Sequence, residues 1–467
     1  MSRTVTLAVI GGGSSQWMKG LMRDVYVLDE ADGGAIRLVD PRKEHVLAVA
    51  DMLRTFNRMR KKDYEISVVD DRREALKGCD FVITTFSPGT MDAFHHDLEI
   101  PITYGIRQPV SMTVGPCGIS AALRTAPVAY EIVEDMEAVC PGAWLLNVTN
   151  PMTVVTRAMN LAARTVKVVG MCHEFNAMPG ILGRILDLPA RPAEISHRDY
   201  MYDYLPANGF EYTVAGLNHF IWLTRARLQG EDVIPKIRQF AVDHWDLRPA
   251  ELADRYVGPW DNLCAAKLAY CRTFGYLPIP GDRHLVEFWP HFCNVRNGFA
   301  QKYNVVKTTV DGRRHGVDRA LASVRRTTSG EEPVDWTKSD EELTEMVRAI
   351  LNRKAITTIV NLPNTGQITN LPGEVVVETL ARLSHEGVTP LPAGDLPGAV
   401  GSLCRLHADV QEVTVRAALE GSRDLFVEAL SLDPGSGTAD FSELGRMADD
   451  LLQANRPWLP RFFGEST

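Results

Sequence analysis

Val5-Thr6-Leu7-Ala8-Val9-Ile10-Gly11-Gly12-Gly13-Ser14 is the stretch that decides the fold. Its first six residues are almost wholly apolar, as expected of a parallel strand buried on both faces. The glycines that follow allow a tight turn into a helix. A strand–glycine–helix unit of this kind brings backbone N–H groups and a helix N-terminus close to a pyrophosphate. Gly11, Gly13 and Ser14 are therefore candidate cofactor contacts. The spacing is imperfect, because Gln16 stands where a strict G-x-G-x-x-G would place its third glycine. The weight falls on the pattern around it.

That pattern alternates. Strand-like runs recur at 35–40, 65–69, 81–85, 144–148 and 166–170, with helical periodicity at 44–60 and 121–139 between them. Alternation implies right-handed crossovers and an α/β, Rossmann-like doubly wound parallel sheet. Asp40 ends the second strand, where a carboxylate can accept hydrogen bonds from a ribose. Beyond about residue 195 the character changes. Runs 210–217 and 220–228 read as paired strands around Asn218-His219, a helical region lies near 260–274, and Ser339 to Glu342 reads as a capping box. One long helix is expected from Leu403 to about Leu430, with ordered loops at 361–373 and 389–401. The expected division is a cofactor domain over 1–195 and a mixed α/β domain over 196–467 that supplies the other wall of a cleft.

Composition narrows the function. The chain has 467 residues, 45% hydrophobic and 23% charged, and a net charge of −9. An acidic balance argues against nucleic acid as a partner. No run approaches the roughly 18 apolar residues of a membrane span, so no membrane association is expected. Eight cysteines without framework spacing fit reduced thiols in the cytoplasm. The basic run Arg58 to Lys62 reads as a solvated helix end.

The remaining signal is Cys172-His173-Glu174, soft and borderline donors for a transition metal at the end of the first half. Together with the glycine loop it forms part of an ordered series. The other members are Ile100-Pro101-Ile102-Thr103-Tyr104-Gly105, Gly115-Pro116-Cys117-Gly118, Asn147-Val148-Thr149-Asn150-Pro151 and Gly216-Leu217-Asn218-His219, then Asn361-Leu362-Pro363-Asn364 and Asn370-Leu371-Pro372. In this series the chain resembles the family 4 glycoside hydrolases, which are NAD-dependent exceptions to the two-carboxylate glycosidase scheme.

The resemblance implies an NAD- and divalent-metal-dependent glycosidase, typically with manganese (Mn2+). Cys172 and His219 match the metal positions, Asn147 the cofactor site and Asn150 the asparagine that holds sugar hydroxyls. The implied reaction oxidises the sugar at C3, removes the acidified C2 proton, expels the aglycone, adds water and reduces C3 again, so the cofactor is recycled. Tyr276 stands near the family's base tyrosine, with Tyr270 close by. His173 is the candidate general acid, and Glu174 its partner or substitute. Phosphosugar members carry an arginine at the position of Phe94, and an aromatic ring cannot pair a phosphate. Cys-His-Glu with Pro280-Gly281-Asp282-Arg283-His284 is most similar to the α-glucuronidase and α-galacturonidase members, with Arg283 or His284 on the uronate carboxylate. The expected partner is a small carbohydrate, and a homo-oligomer, dimer or tetramer, is expected. An α-galactosidase or α-glucosidase of the same family is the alternative. A 2-hydroxy-acid dehydrogenase would share the first half but needs no metal cysteine.

Overall fold

The computed structural model describes residues 3–245, 264–337 and 342–464. The strands are β1 (Arg3–Ile10), β2 (Ala31–Val39), β3 (Asp63–Val68), β4 (Phe81–Thr84), β5 (Trp144–Asn147), β6 (Lys167–Gly170), β7 (Phe210–Leu217), β8 (Phe220–Leu228), β9 (Glu231–Asp232), β10 (Leu277–Pro278), β11 (Ile356–Pro363), β12 (Val376–Ser384) and β13 (Gly387–Pro390). Among the described residues they form a single sheet, ordered β10-β8-β7-β12-β11-β6-β5-β4-β1-β2-β3, with β13 beside β12 and β9 beside β8. The stretch β3-β2-β1-β4-β5-β6 is parallel throughout. Its order reverses between β1 and β4, the crevice where ligands of such sheets bind.

Helices cover both faces. On one side Ser15–Tyr26, Lys43–Arg60 and Glu342–Asn352 bury Met18, Leu21, Val46, Phe56 and Met346 against β1 and β2. On the other, Gly115–Val139 and Met152–Ala162 bury Ile132, Val133, Val155 and Met159 against Ala8, Val82 and Leu145. β11 continues the sheet antiparallel to β6, and the later strands extend it. The second half thus builds onto the edge of the first sheet.

Several expectations change. Asn361 to Pro363, expected in a loop, are the end of β11, and Gly387–Pro390 adds a strand. The expected 403–430 helix is two helices, Gly398–Glu420 and Arg423–Leu432, broken where Gly421 takes φ +66°. Lys62 is not solvated: its ammonium donates to the carbonyls of Leu28 and Ala31 and to Asp32. Residues 339–341 of the expected capping box, and 260–263 of the expected helical region, lie outside the described residues. None of the described helices is long and apolar enough to cross a membrane.

A buried ion pair ties the C-terminal segment to this frame. Asp97, in the Thr90–Thr103 helix, accepts from Arg124 Nη2 at 2.5 Å, Ser120 Oγ at 2.6 Å and Asn455 Nδ2 at 3.1 Å. Asp97 and Arg124 are both buried. Asp97→Ala leaves the guanidinium uncompensated and should lower stability by about 3–5 kcal/mol, read as a shift in the urea midpoint at unchanged slope.

Candidate active site

The glycine loop is dictated by crowding. Gly11 takes φ +93°, a conformation L side chains avoid. A Cβ on Gly12 would lie 2.9 Å from the Leu38 side chain, and one on Gly13 would lie 2.7 Å from the Asp40 carboxyl carbon. Backbone N–H groups expected to face a phosphate are instead used within the fold. Gly11 and Gly12 donate to Val39 O, and Gly13 to Asp40 Oδ2 at 2.9 Å. What the loop leaves open is the start of the Ser15–Tyr26 helix, where the buried Ser15 hydroxyl has no partner among the described residues. Gln16 turns its amide toward Gly316 of the Val310–Ser329 helix, where a Cβ on that glycine would lie 3.0 Å from Gln16 Nε2. Asp40 is buried and also accepts from the Arg42 backbone and guanidinium. It organises the loop as well as ending β2. The loop and strand crossover fit a dinucleotide.

Asn147 departs from its expected role. It is fully buried, accepts from Thr84 Oγ1 at 2.8 Å and Thr149 N at 2.9 Å, and donates to Thr156 Oγ1 at 3.1 Å. Its amide is spent on the turn into Asn150, leaving nothing for a cofactor. Asn150 follows at a cis bond to Pro151, half-buried, with Oδ1 accepting from Met152 N.

Past β6 the chain delivers Cys172, His173 and Glu174, and the β7–β8 turn delivers His219 at φ +60°. His219 is buried, its Nδ1 lies 2.8 Å from Thr113 Oγ1, and its ring stacks on His284 at 3.8 Å between centroids. Burial and the neighbouring His284 hold His219 well below the usual histidine range, and burial with Arg283 brings His284 down to about 3. Both rings are neutral near neutral pH. Thr113 occupies Nδ1 of His219, so Nε2 is the nitrogen left to bind a ligand. The partly buried Cys172 thiol is pushed up by burial, then by Glu378 and Glu174, while Asn218 hydrogen-bonds toward it. No group of three or more metal-donor side chains occurs among the described residues. A cysteine sulfur and the neutral imidazole of His219, with Nε2 left over, are donors that suit a transition ion, and with these two alone its shell would be completed from outside the protein, as by sugar hydroxyls.

Glu174 is the bridge between the halves. Its Oε2 accepts from Gly281 N at 2.7 Å, and its Oε1 lies 3.7 Å from His284 Nε2. His173 is exposed at the rim, its ring 5.9 Å from that of Trp17. Tyr276 is half-buried against the apolar cluster that includes Trp222 and Phe288, directly before β10, whose Leu277 pairs with Leu223, four residues along β8 from His219. Tyr270 is wholly buried and donates to Leu285 O at 3.1 Å, so the core consumes it.

The site also holds residues that sequence reasoning missed. Arg283 donates to Thr308 Oγ1 at 2.7 Å, and beside it Arg313 lies 4.8 Å above the ring of Phe94. Burial and Arg283 bring Arg313 down to about 10. Glu287 faces both guanidiniums, accepts from the N–H groups of Val110 and Ser111, and is pushed up to about 7 by burial. Glu287 stands one helical turn from Arg283, a signal that was available. Arg313 arrives from a separate helix and had no local signal.

Comparison with known proteins agrees with this arrangement. The description "Family 4 glycosyl hydrolase" applies to a profile matching residues 6–188, and that family's C-terminal domain profile matches 214–435. An alpha-galacturonidase of Thermoanaerobacterium saccharolyticum is 31% identical over 464 residues, covering 97% of this chain and 96% of its own. An alpha-galactosidase of Bacillus subtilis is 28% identical, over 98% of this chain and 99% of its own. The crystal structure of lplD from Bacillus subtilis superposes with a TM-score of 0.84 at 27% identity, covering 96% and 100% of the two chains. A 6-phospho-beta glucosidase from Thermotoga maritima, solved with manganese, NAD+ and glucose-6-phosphate, shares the fold at a TM-score of 0.73 and 20% identity, covering 97% and 98%. With both halves matched at nearly full length, the chain belongs to the family 4 glycosyl hydrolases and is a glycosidase.

Proposed function

We propose that the chain cleaves α-linked uronides, an α-galacturonide first, through the NAD- and metal-dependent elimination described above. The observation that carries the uronide reading is the buried Arg283 with the half-buried Arg313 beside it and Glu287 facing both. Two guanidiniums in one low-dielectric pocket repel each other and favour an added anion. A sugar carboxylate supplies it in the planar geometry that guanidinium matches. Phe94 supports the choice, since its ring supports Arg313 where phosphosugar enzymes keep a phosphate-binding arginine. The alpha-galacturonidase relatives point the same way.

When bound, NAD+ would take and return the hydride at sugar C3, while a divalent ion such as manganese would polarise the oxygen there and acidify the C2 proton. The protein's own part is positional and protonic. Arg283 and Arg313 fix the C6 carboxylate, and Asn150 holds ring hydroxyls. Tyr276 removes the C2 proton; the released electron pair forms the C1–C2 double bond as the C1–oxygen bond breaks. His173, at the rim beside Trp17, gives the leaving oxygen its proton. Glu174 joins His284 to the Gly281 turn and so keeps the pocket's two halves in register.

Arg313→Met should raise KM for a p-nitrophenyl α-galacturonide by about 10–100-fold, the value of a charge-assisted hydrogen bond, and change an α-galactoside much less. Protonated Glu287 leaves both guanidiniums to the substrate. Once ionised above about pH 7 it competes for them, so KM for the uronide should climb through that pH and Glu287→Gln should flatten the rise. Equal effects on both glycosides would favour the galactosidase alternative.

Asp40→Ala frees the Gly13 N–H and should weaken NAD+ binding by about 10-fold or more. Calorimetry giving an unchanged NAD+ dissociation constant would remove Asp40 from the cofactor site.

Turnover in D2O should place deuterium at C2 of the released sugar, because the abstracted proton exchanges with solvent before it is returned. Tyr276→Phe should slow cleavage and exchange together, by about 10²–10⁴ for a lost general base. Only protium at C2 after full cleavage would instead show direct displacement at C1.

A further inference from the structure

We propose that Glu378 is the positioning residue that sets Cys172 and His219 against each other, by fixing from beneath the two turns that carry them. The inference rests on the reading that this pair holds the divalent ion.

Glu378 lies in β12, in mid-sheet, and is only 2% exposed. Its register partners are Asn361 on one side and Gly216 on the other. Asn361 is in turn paired with Gly170, the residue that ends β6 two positions before Cys172. Gly216 likewise precedes Asn218 by two positions. Glu378 and Asn361 thus occupy the two strand positions between the loops that bear the donors.

Its hydrogen bonds match that position. A single oxygen, Oε1, accepts from Asn361 Nδ2 at 3.0 Å and from Asn218 Nδ2 at 3.3 Å. Asn218 is the residue before His219, and Asn361 pairs with Gly170 at the end of the strand that leads into Cys172. One acceptor therefore fixes the turn that presents one donor and the strand end that leads to the other. Gly170 has no room to shift: a Cβ there would lie 2.5 Å from Thr156 Oγ1 and 2.9 Å from Asn361 Cβ.

A purely structural role does not account for this cluster. Three buried polar side chains in the centre of a sheet are costly, and apolar residues of similar volume would be neutral or stabilising. The carbonyl oxygens of Asn218 and Asn361 are moreover buried without a partner among the described residues. The arrangement gives up hydrogen bonds to hold its amides in one orientation, as expected of a shell that orients ligands.

The test uses the full chain and Mn2+ itself, with binding read by electron paramagnetic resonance and NAD+ binding by calorimetry. Glu378→Met removes the acceptor and should raise the Mn2+ dissociation constant by about 10–100-fold and, by leaving two buried amides without it, lower the thermal midpoint, with NAD+ binding little changed. Glu378→Gln keeps an acceptor at Oε1 and should restore Mn2+ binding to near the parent value. Mn2+ binding unchanged in the Met variant, or lost in step with NAD+ binding, would overturn the role of Glu378 alone. Parent protein that binds no Mn2+, or a Cys172→Ser variant that binds it equally well, would overturn the metal reading and this inference with it.

Discussion

One row of residues across the sheet carries the rest of the structure. Ile10, Thr84, Asn147, Gly170, Asn361, Glu378 and Gly216 are register partners in sequence from β1 to β7. On the β1 side the row is apolar, as a strand buried on both faces demands. From Thr84 onward it turns polar while remaining buried, and each group must find its partner inside the protein. Thr84 bonds Asn147, Asn147 bonds Thr156, and Asn361 bonds Glu378. Gly170 is the gap that lets the row close, because any side chain there meets Thr156 and Asn361. The loops that leave this row hold the glycine turn, Asn150, Cys172 and His219. A shift of one residue in any pairing would turn the polar set to the opposite face, so the hydrogen bonds within the row also specify where the chemistry sits.

Above that row the electrostatics divide by location. The pair His219 and His284 is desolvated and kept neutral, the state in which imidazole binds a metal. The Arg283 and Arg313 pair is also desolvated, but guanidinium stays charged at neutral pH even when Arg313 is brought down to about 10. The same burial therefore produces a neutral ligand face on one side and a positive pocket on the other. A substrate bearing hydroxyls at one end and a carboxylate at the other suits that asymmetry. Glu287 moderates it, since its carboxyl is pushed up to about 7 and adds little negative charge below that value.

The parallel half of the fold was legible in the sequence because its strands are short apolar runs separated by helical periodicity. Each expected strand from β1 to β6 is present, with ends differing by at most four residues. The β7–β8 hairpin was equally legible, since Asn218-His219 interrupts two runs of matching length. β11 was hidden: Asn361-Leu362-Pro363-Asn364 has the composition of a turn, yet Asn361 faces Glu378 rather than solvent. The Gly421 break was hidden inside a continuous apolar periodicity, and only a positive φ reveals it. In the candidate site, local motifs exposed Cys172, Glu174, His219 and Arg283, whereas Thr113, Arg313 and Glu378 come from separate elements. Asn147 shows the opposite limit. The motif marks it, but the structure spends its amide on the turn that aims Asn150.

The exchange at Phe94 explains how one frame serves different sugars. A phosphate-binding arginine on the Thr90–Thr103 helix would bring its charge from the same helix that carries Asp97, already committed to Arg124. In this chain the aromatic ring fills that position, and the cation comes instead from Arg313 on the Val310–Ser329 helix. The face of the ring then supports the guanidinium, 4.8 Å from its centroid. Moving the cation by one helix leaves the polar row, the glycine loop and the Cys172–His219 pair untouched. On the proposed reading, C6 faces Arg313 of the Val310–Ser329 helix and Arg283 of the Asp282–Leu285 helix, while C1 to C3 face loops that leave the sheet, so specificity at one end could change without disturbing the other.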